Sequence, residues 1–202
     1  METKLSANAS LQLLEAGGSF SHVKIVRYKD RLLYSKYNPL RTITALISGT
    51  SFLPGTVVLV CAPCLWYGLE ELFAALPKAC TIIAVQDDEA LFSLSEKALA
   101  SLSPALKEKQ GKTELRLFSM QELRDLDSCL RKLAATGQYR RVLRLDFSAG
   151  VQLNPDIYTA ITTAAQEIIT SFWTNRVTLV KMGRLFAKNI FQNLARLGEV
   201  MR

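Results

Sequence analysis

The stretch VVLVCAPCLWYGLEEL, residues 57–72, sets Cys61 and Cys64 in a C-x-x-C spacing between an apolar, strand-like run and a helix-like one. Two thiols so placed are the makings of a redox dithiol or of half a metal site. A helix N-terminus beside them would lower a thiol's pKa and favour the thiolate. A thioredoxin-like site also needs a proline before a later strand, packed on the dithiol. Pro39, Pro54, Pro77, Pro104 and Pro155 do not occupy such a place, and Pro104 falls within a helical stretch. A structural zinc site needs four ligands. Cys80 and Cys129 are far apart and the single histidine, His22, lies in a predicted hairpin, so no metal site is expected. That histidine supplies no catalytic triad either. Four scattered cysteines read as reduced core residues, and a thiol oxidoreductase stays the weaker alternative.

The same stretch also occupies the place of a nucleotide-binding turn. Such a turn needs glycines, because backbone amides must approach the ligand and the chain must bend tightly. An acidic residue at the end of the next strand then holds a ribose. Here the turn runs Ala62-Pro63-Cys64-Leu65-Trp66-Tyr67-Gly68, and the second strand ends at Gln86, followed by Asp87 and Asp88. The candidate contacts are Ala62, Cys64, Trp66, Tyr67, Gln86 and Asp87. A tryptophan blocks close backbone approach, and Gln86 lacks the charge, so the turn is degraded as a cofactor site and no cofactor is expected. The enzymatic alternative is an S-adenosylmethionine pocket of methyltransferase type, with Asp87 or Asp88 replacing the missing acid. Asp88 also suits the N-cap of the helix that follows.

These positions depend on an alternating framework. Residues 57–62, 81–86, 113–119 and 141–147 are strand-like, rich in apolar and β-branched residues. Helical stretches separate them, the third opening on a capping box of Ser119 and Glu122. The βαβαβαβ order predicts a Rossmann-like, methyltransferase-like α/β fold, a parallel sheet flanked by helices. Before it, residues 20–37 predict a β-hairpin around Lys29-Asp30, and Asn38-Pro39 leads into a short helix. After it, Asn154-Pro155 opens a C-terminal helical pair, the second helix spanning roughly 178–197 with an apolar stripe. The expected organisation is 1–53 for the N-terminal segment, 54–152 for the α/β core and 153–202 for the C-terminal helices.

With 202 residues and 49% apolar composition, the chain can bury a full core. Its net charge of +7 gathers toward the C-terminal end, at Arg176, Lys181, Arg184, Lys188, Arg196 and Arg202. No nucleic-acid motif accompanies that charge, so nucleic acid is not an expected partner. No apolar run is long enough for a membrane span, and the N-terminus carries no secretory signal, which leaves a cytoplasmic expectation.

Four motifs in order resemble the motility accessory factor (Maf) glycosyltransferases, bacterial proteins that glycosylate flagellin with nonulosonic acid sugars. Tyr37-Asn38-Pro39-Leu40-Arg41 is similar to their Tyr-Asn/Asp-Pro-x-Arg segment. Residues 62–72 align with their G-x-G-x-G-Y-H-x-x-x-L turn, and IIAVQDDEALF with a strand ending in glutamate. Asn189 and Asn193 match a helix with two spaced asparagines. The resemblance spans about residues 20–197 and implies a Rossmann-like N-terminal domain of such a protein, with Asn38, Arg41, Asn189 and Asn193 as further candidate contacts. The family's three glycines are here Ala62, Cys64 and Trp66, its histidine is Gly68 and its glutamate is Gln86. The family's glycosyltransferase core, with its catalytic residues, would lie beyond Arg202. The resemblance therefore implies a pseudo-enzyme not active on its own, catalytic residues unknown. Flagellin, a Maf catalytic domain or subunit, or a second copy would be its partner, and a nucleotide sugar the alternative ligand.

Overall fold

The computed structural model describes residues 11–102 and 113–200, with side chains as far as residue 193. Pro104 and the chain termini lie outside the described residues. The core is a four-stranded parallel sheet of β4 (Thr56–Cys61), β5 (Thr81–Gln86), β6 (Leu115–Ser119) and β7 (Arg141–Asp146), in the order β6-β5-β4-β7. Every residue of β4 and β5 is buried, which is why both read as unbroken apolar runs: central parallel strands are covered on both faces.

Period-two alternation sorts their side chains. Val57, Leu59 and Cys61, with Ile83 and Val85, face α4 (Leu123–Ala135) and the first half of α5 (Pro155–Val200). Val58 and Val60, with Ile82 and Ala84, face α1 (Arg41–Ser48) and α2 (Leu69–Ala75). Helix α3 (Glu89–Ala100) starts where Asp88 accepts hydrogen bonds from the amides of Ala90 and Leu91, the expected N-cap. Ser119 likewise donates through its amide and hydroxyl to Glu122 ahead of α4.

The predicted hairpin forms as β2 (Lys24–Tyr28) and β3 (Arg31–Leu32), joined through Lys29 and Asp30 at φ 49° and 59°. Two successive left-handed residues match the twist of the flanking strands. A further strand, β1 (Gln12–Glu15), pairs antiparallel with β2, making a small three-stranded sheet. Its buried residues Ile25, Val26 and Tyr28, with Leu33 just past β3, share a cluster with Cys64 and Leu91 of the α/β core.

The C-terminal pair of helices is instead one helix of 46 residues, about 69 Å long. Thr174-Asn175-Arg176 interrupts the apolar pattern but contains no glycine or proline to end a helix. Tyr158, Ala165 and Ile169 are buried against the sheet, and Trp173 marks where the helix leaves the body, its indole Nε1 donating to the Tyr139 carbonyl at 2.6 Å. From Thr174 to Asn193 every residue is exposed. Among the described residues, no helix is long and apolar enough to cross a membrane.

Candidate functional site at the carboxyl end of the sheet

The chain runs outward from β4 to β5 and β6, then crosses to β7 on the other side of β4. The carboxyl ends of β4 and β7 thus form the topological switch point, where open α/β sheets take their ligands. The turn that leaves β4 there holds Ala62, Cys64 and Trp66 at φ 51°, 45° and 59°, and Gly68 at 86°. The backbone therefore takes left-handed conformations at the three positions where the resembled turn has glycine. For residues with a Cβ this costs about 1–2 kcal/mol each. Alternating left-handed residues curl amides into a concavity that suits an anion. Here a protein hydroxyl occupies it: Tyr34 Oη accepts from the Leu65 amide and donates to the Pro63 carbonyl, both at 3.0 Å.

Side chains fill the remaining space. Trp66 is buried, its Nε1 donating to the Ser95 carbonyl at 2.8 Å. Cys64 is buried with its sulfur 3.4 Å from Ser148 Oγ, and that hydroxyl donates to the Ala62 carbonyl at 2.8 Å. A Cβ on Gly150 would stand 3.1 Å from Ala62 Cβ, so the segment after β7 lies directly on the turn. Gly68 cannot be the histidine of the resembled motif: a Cβ there would meet Ile43 Cγ1 at 2.5 Å. Tyr67 turns away, its hydroxyl donating to the Lys24 carbonyl at 2.5 Å, its ring edge-on to Tyr34.

At the end of β5, Gln86 is wholly buried. Its Nε2 donates to Asp87 Oδ1 at 3.2 Å and to Tyr158 Oη at 3.4 Å, and its Oε1 accepts long contacts from Cys64 and Ser95. Both carboxylate oxygens of Asp87 have protein donors, Tyr158 Oη at 2.6 Å and Asn154 Nδ2 at 2.5 Å. Burial, then the Asp87 contact, pushes the Tyr158 phenol far above its ordinary value. Asp88 faces the hairpin, accepting from Tyr28 Oη at 2.8 Å and Lys29 Nζ at 3.1 Å. Burial alone would raise its pKa, but those two donors and the helix amides outweigh it and hold the carboxyl below the usual range. Among the described residues, no buried side-chain nitrogen or oxygen lacks a hydrogen-bond partner.

The structure thus brings together Ala62, Cys64, Trp66, Gln86 and Asp87, while the Tyr67 hydroxyl points to β2. It adds Tyr34, Ser148, Asn154 and Tyr158, which sequence reasoning missed. Their partners lie 29 to 86 residues away along the chain, beyond any local spacing signal. Asn38 and Arg41 stand apart, the Asn38 Oδ1 accepting from the Arg41 amide at 3.0 Å and so shaping the entry to α1. Asn189 and Asn193 are exposed on the far half of α5 and take no part.

The two thiols of the C-x-x-C spacing do not act as a pair. Cys61 packs with the α4 and α5 side of the sheet, Cys64 with the N-terminal sheet. Burial pushes both thiols up to about 12, against the lowering expected of a helix N-terminus. Burial is the first cause for both, and α2 begins only at Leu69, past its cap at Gly68. Among the described residues, no group of three or more histidine, cysteine or acidic side chains could hold a metal ion.

Fold and site define a Rossmann-like α/β domain whose switch-point turn is occupied by its own side chains. No family model matches the chain. It is similar to an uncharacterized protein of Treponema pallidum (strain Nichols), 26% identical over 169 residues, which cover 83% of this chain and 28% of that protein. The chain therefore spans less than a third of the length of this relative.

Proposed function

We propose that this chain is a non-catalytic, Rossmann-like domain of a Maf-type flagellin glycosylation protein, working by docking in the cytoplasm. The observation that carries the non-catalytic part is the turn after β4. It keeps left-handed backbone at Ala62, Cys64 and Trp66 while side chains and the Tyr34 hydroxyl take the space a ligand would use. The order of the Tyr37–Arg41, turn, Gln86–Asp87 and Asn189–Asn193 motifs supports the Maf assignment. Similarity to 28% of a much longer protein accords with a part that works within a larger assembly. Flagellin or a Maf catalytic domain is the partner.

One observation favours a second reading, an S-adenosylmethionine-binding enzyme. An open groove at the carboxyl ends of β5 and β6 is lined by Asp87, Glu89 and Glu96, acids that suit a cationic sulfonium and repel a nucleotide diphosphate. Calorimetry separates the two. The docking domain gives no heat with S-adenosylmethionine or nucleotide sugars, and purified flagellin or Maf catalytic domain is retained on the immobilised chain. Micromolar binding of either small molecule would overturn it.

A further inference from the structure

Where α5 leaves the body, two guanidiniums share one aromatic ring. The guanidinium carbon of Arg140 lies 4.7 Å from the centre of the Trp173 ring, and that of Arg176 lies 5.6 Å from it. The ring is fixed from the protein side, by its Nε1 bond to the Tyr139 carbonyl and by Phe172 edge-on at 5.7 Å. Gly137, just past α4, leaves the room that Arg176 takes, since a Cβ there would stand 2.9 Å from its guanidinium. Arg27, Arg116, Arg131 and Arg144 each hold a carboxylate. Arg140 and Arg176 are exposed, and among the described residues neither guanidinium takes part in an ion pair or a hydrogen bond. The ring attracts each cation but leaves their mutual repulsion in place.

We infer that Arg140 and Arg176 anchor a docking site for an acidic, extended polypeptide segment. Their distances to one ring centre put the two guanidinium carbons no more than about 10 Å apart. Alternate residues of an extended segment stand about 7 Å apart, so two carboxylates on one side of it can reach both. A guanidinium stacked on a ring keeps the N–H groups at its edge for a carboxylate and loses little freedom on binding one. No acid of the helix competes there: Ile168 to Asn193 contains no aspartate or glutamate, and Lys181, Arg184 and Lys188 extend the positive field along α5. Single-stranded nucleic acid fits less well, because it stacks bases on open aromatic faces and guanidiniums lie over this one. An anionic membrane fits less well, because the indole N–H is turned to the body at Tyr139 and away from headgroups. The site lies at the amino ends of β4 and β7, where the Arg140 amide donates to the Gly55 carbonyl, the opposite end of the sheet from the closed turn.

This inference goes beyond the proposed function and is tested with neither flagellin nor S-adenosylmethionine, so either can fail alone. The probe is a fluorescein-labelled hexaglutamate peptide, followed by anisotropy at about 50 mM salt, where exposed charges are less screened than at physiological strength. The full chain should bind it saturably. The unlabelled peptide should shift tryptophan emission, which reports Trp173 because the other tryptophan, Trp66, is buried. The double variant Arg140→Gln, Arg176→Gln should bind about tenfold more weakly with an unchanged circular dichroism spectrum. Lys24→Gln with Arg31→Gln removes the same charge from the small N-terminal sheet and should change binding by less than about twofold. Absence of binding, an equal loss in both double variants, or unchanged tryptophan emission would overturn the inference. So would binding of a single-stranded oligonucleotide or of phosphatidylserine vesicles that is tighter than that of the peptide and lost in the Arg140, Arg176 variant.

Discussion

Ala62, Cys64 and Trp66 share one backbone conformation but contribute differently to stability. Ala62 adds a methyl group to a strained position, so Ala62→Gly relieves φ strain and loses little packing. Against the greater unfolded-state entropy of glycine, the expected result is a gain of about 0.5 kcal/mol or no change. Trp66 carries a buried indole with a hydrogen bond to Ser95, and Trp66→Ala keeps the strain while opening a cavity, an expected loss of about 3–5 kcal/mol. Urea unfolding of the two variants checks both. If Ala62→Gly destabilised the chain as much as Trp66→Ala, the strain account would be wrong.

Among the elements, the junction of hairpin and α3 concentrates several interactions on Asp88, which caps the helix and receives Tyr28 and Lys29. Asp88→Ala should cost about 2 kcal/mol, the sum of a lost cap and a lost hydrogen bond, the exposed lysine contact adding little. Asp88→Asn, which can still cap, should fall between, as thermal unfolding would show. This junction was half legible in the sequence. The N-cap and the Lys29-Asp30 turn follow from local residue types, but their meeting across 60 residues does not. The central strands were legible because burial on both faces leaves long apolar runs. Strand β1 was not, since Leu13 and Leu14 are neighbours and both exposed, giving no alternation. The continuity of α5 was hidden for a related reason: a polar interruption looks like a helix end until the backbone is seen to have no cause to stop. The turn was legible as a place and as a set of missing glycines, whereas its occupants, Tyr34, Ser148 and Tyr158, came from distant segments.

Taken whole, the molecule stores protons in its interior. The Cys61 and Cys64 thiols, ordinarily near 9.0, and the Tyr28 phenol, ordinarily 10.0, are each pushed up to about 12, burial being the first cause. A folded-state pKa above the unfolded one favours the protonated group in the fold. The corresponding stability is complete below the ordinary thiol value and is lost as pH rises from about 9 toward 12. Unfolding free energy should therefore be level from pH 7 to 8.5 with respect to these groups. Above pH 9 it should fall by about 1.4 kcal/mol per pH unit for each thiol, steepening as tyrosine titrates. Denaturant curves across that range measure it, and a Cys61→Ala variant with an undiminished slope would contradict the assignment.

The packing of the segment after β7 onto the turn after β4 makes closure a ratchet. Removing the Cys64 side chain alone leaves Ser148 and Gln86 around a void, and removing Trp66 alone undoes its anchor on α3. A side chain at Gly150 would press on both Ser148 and Ala62. Removing either the Cys64 or the Trp66 side chain alone therefore leads through a less stable protein, whereas glycine at Ala62 alone opens no space while Cys64 and Trp66 remain. The turn is thus held closed by the same contacts that stabilise the fold.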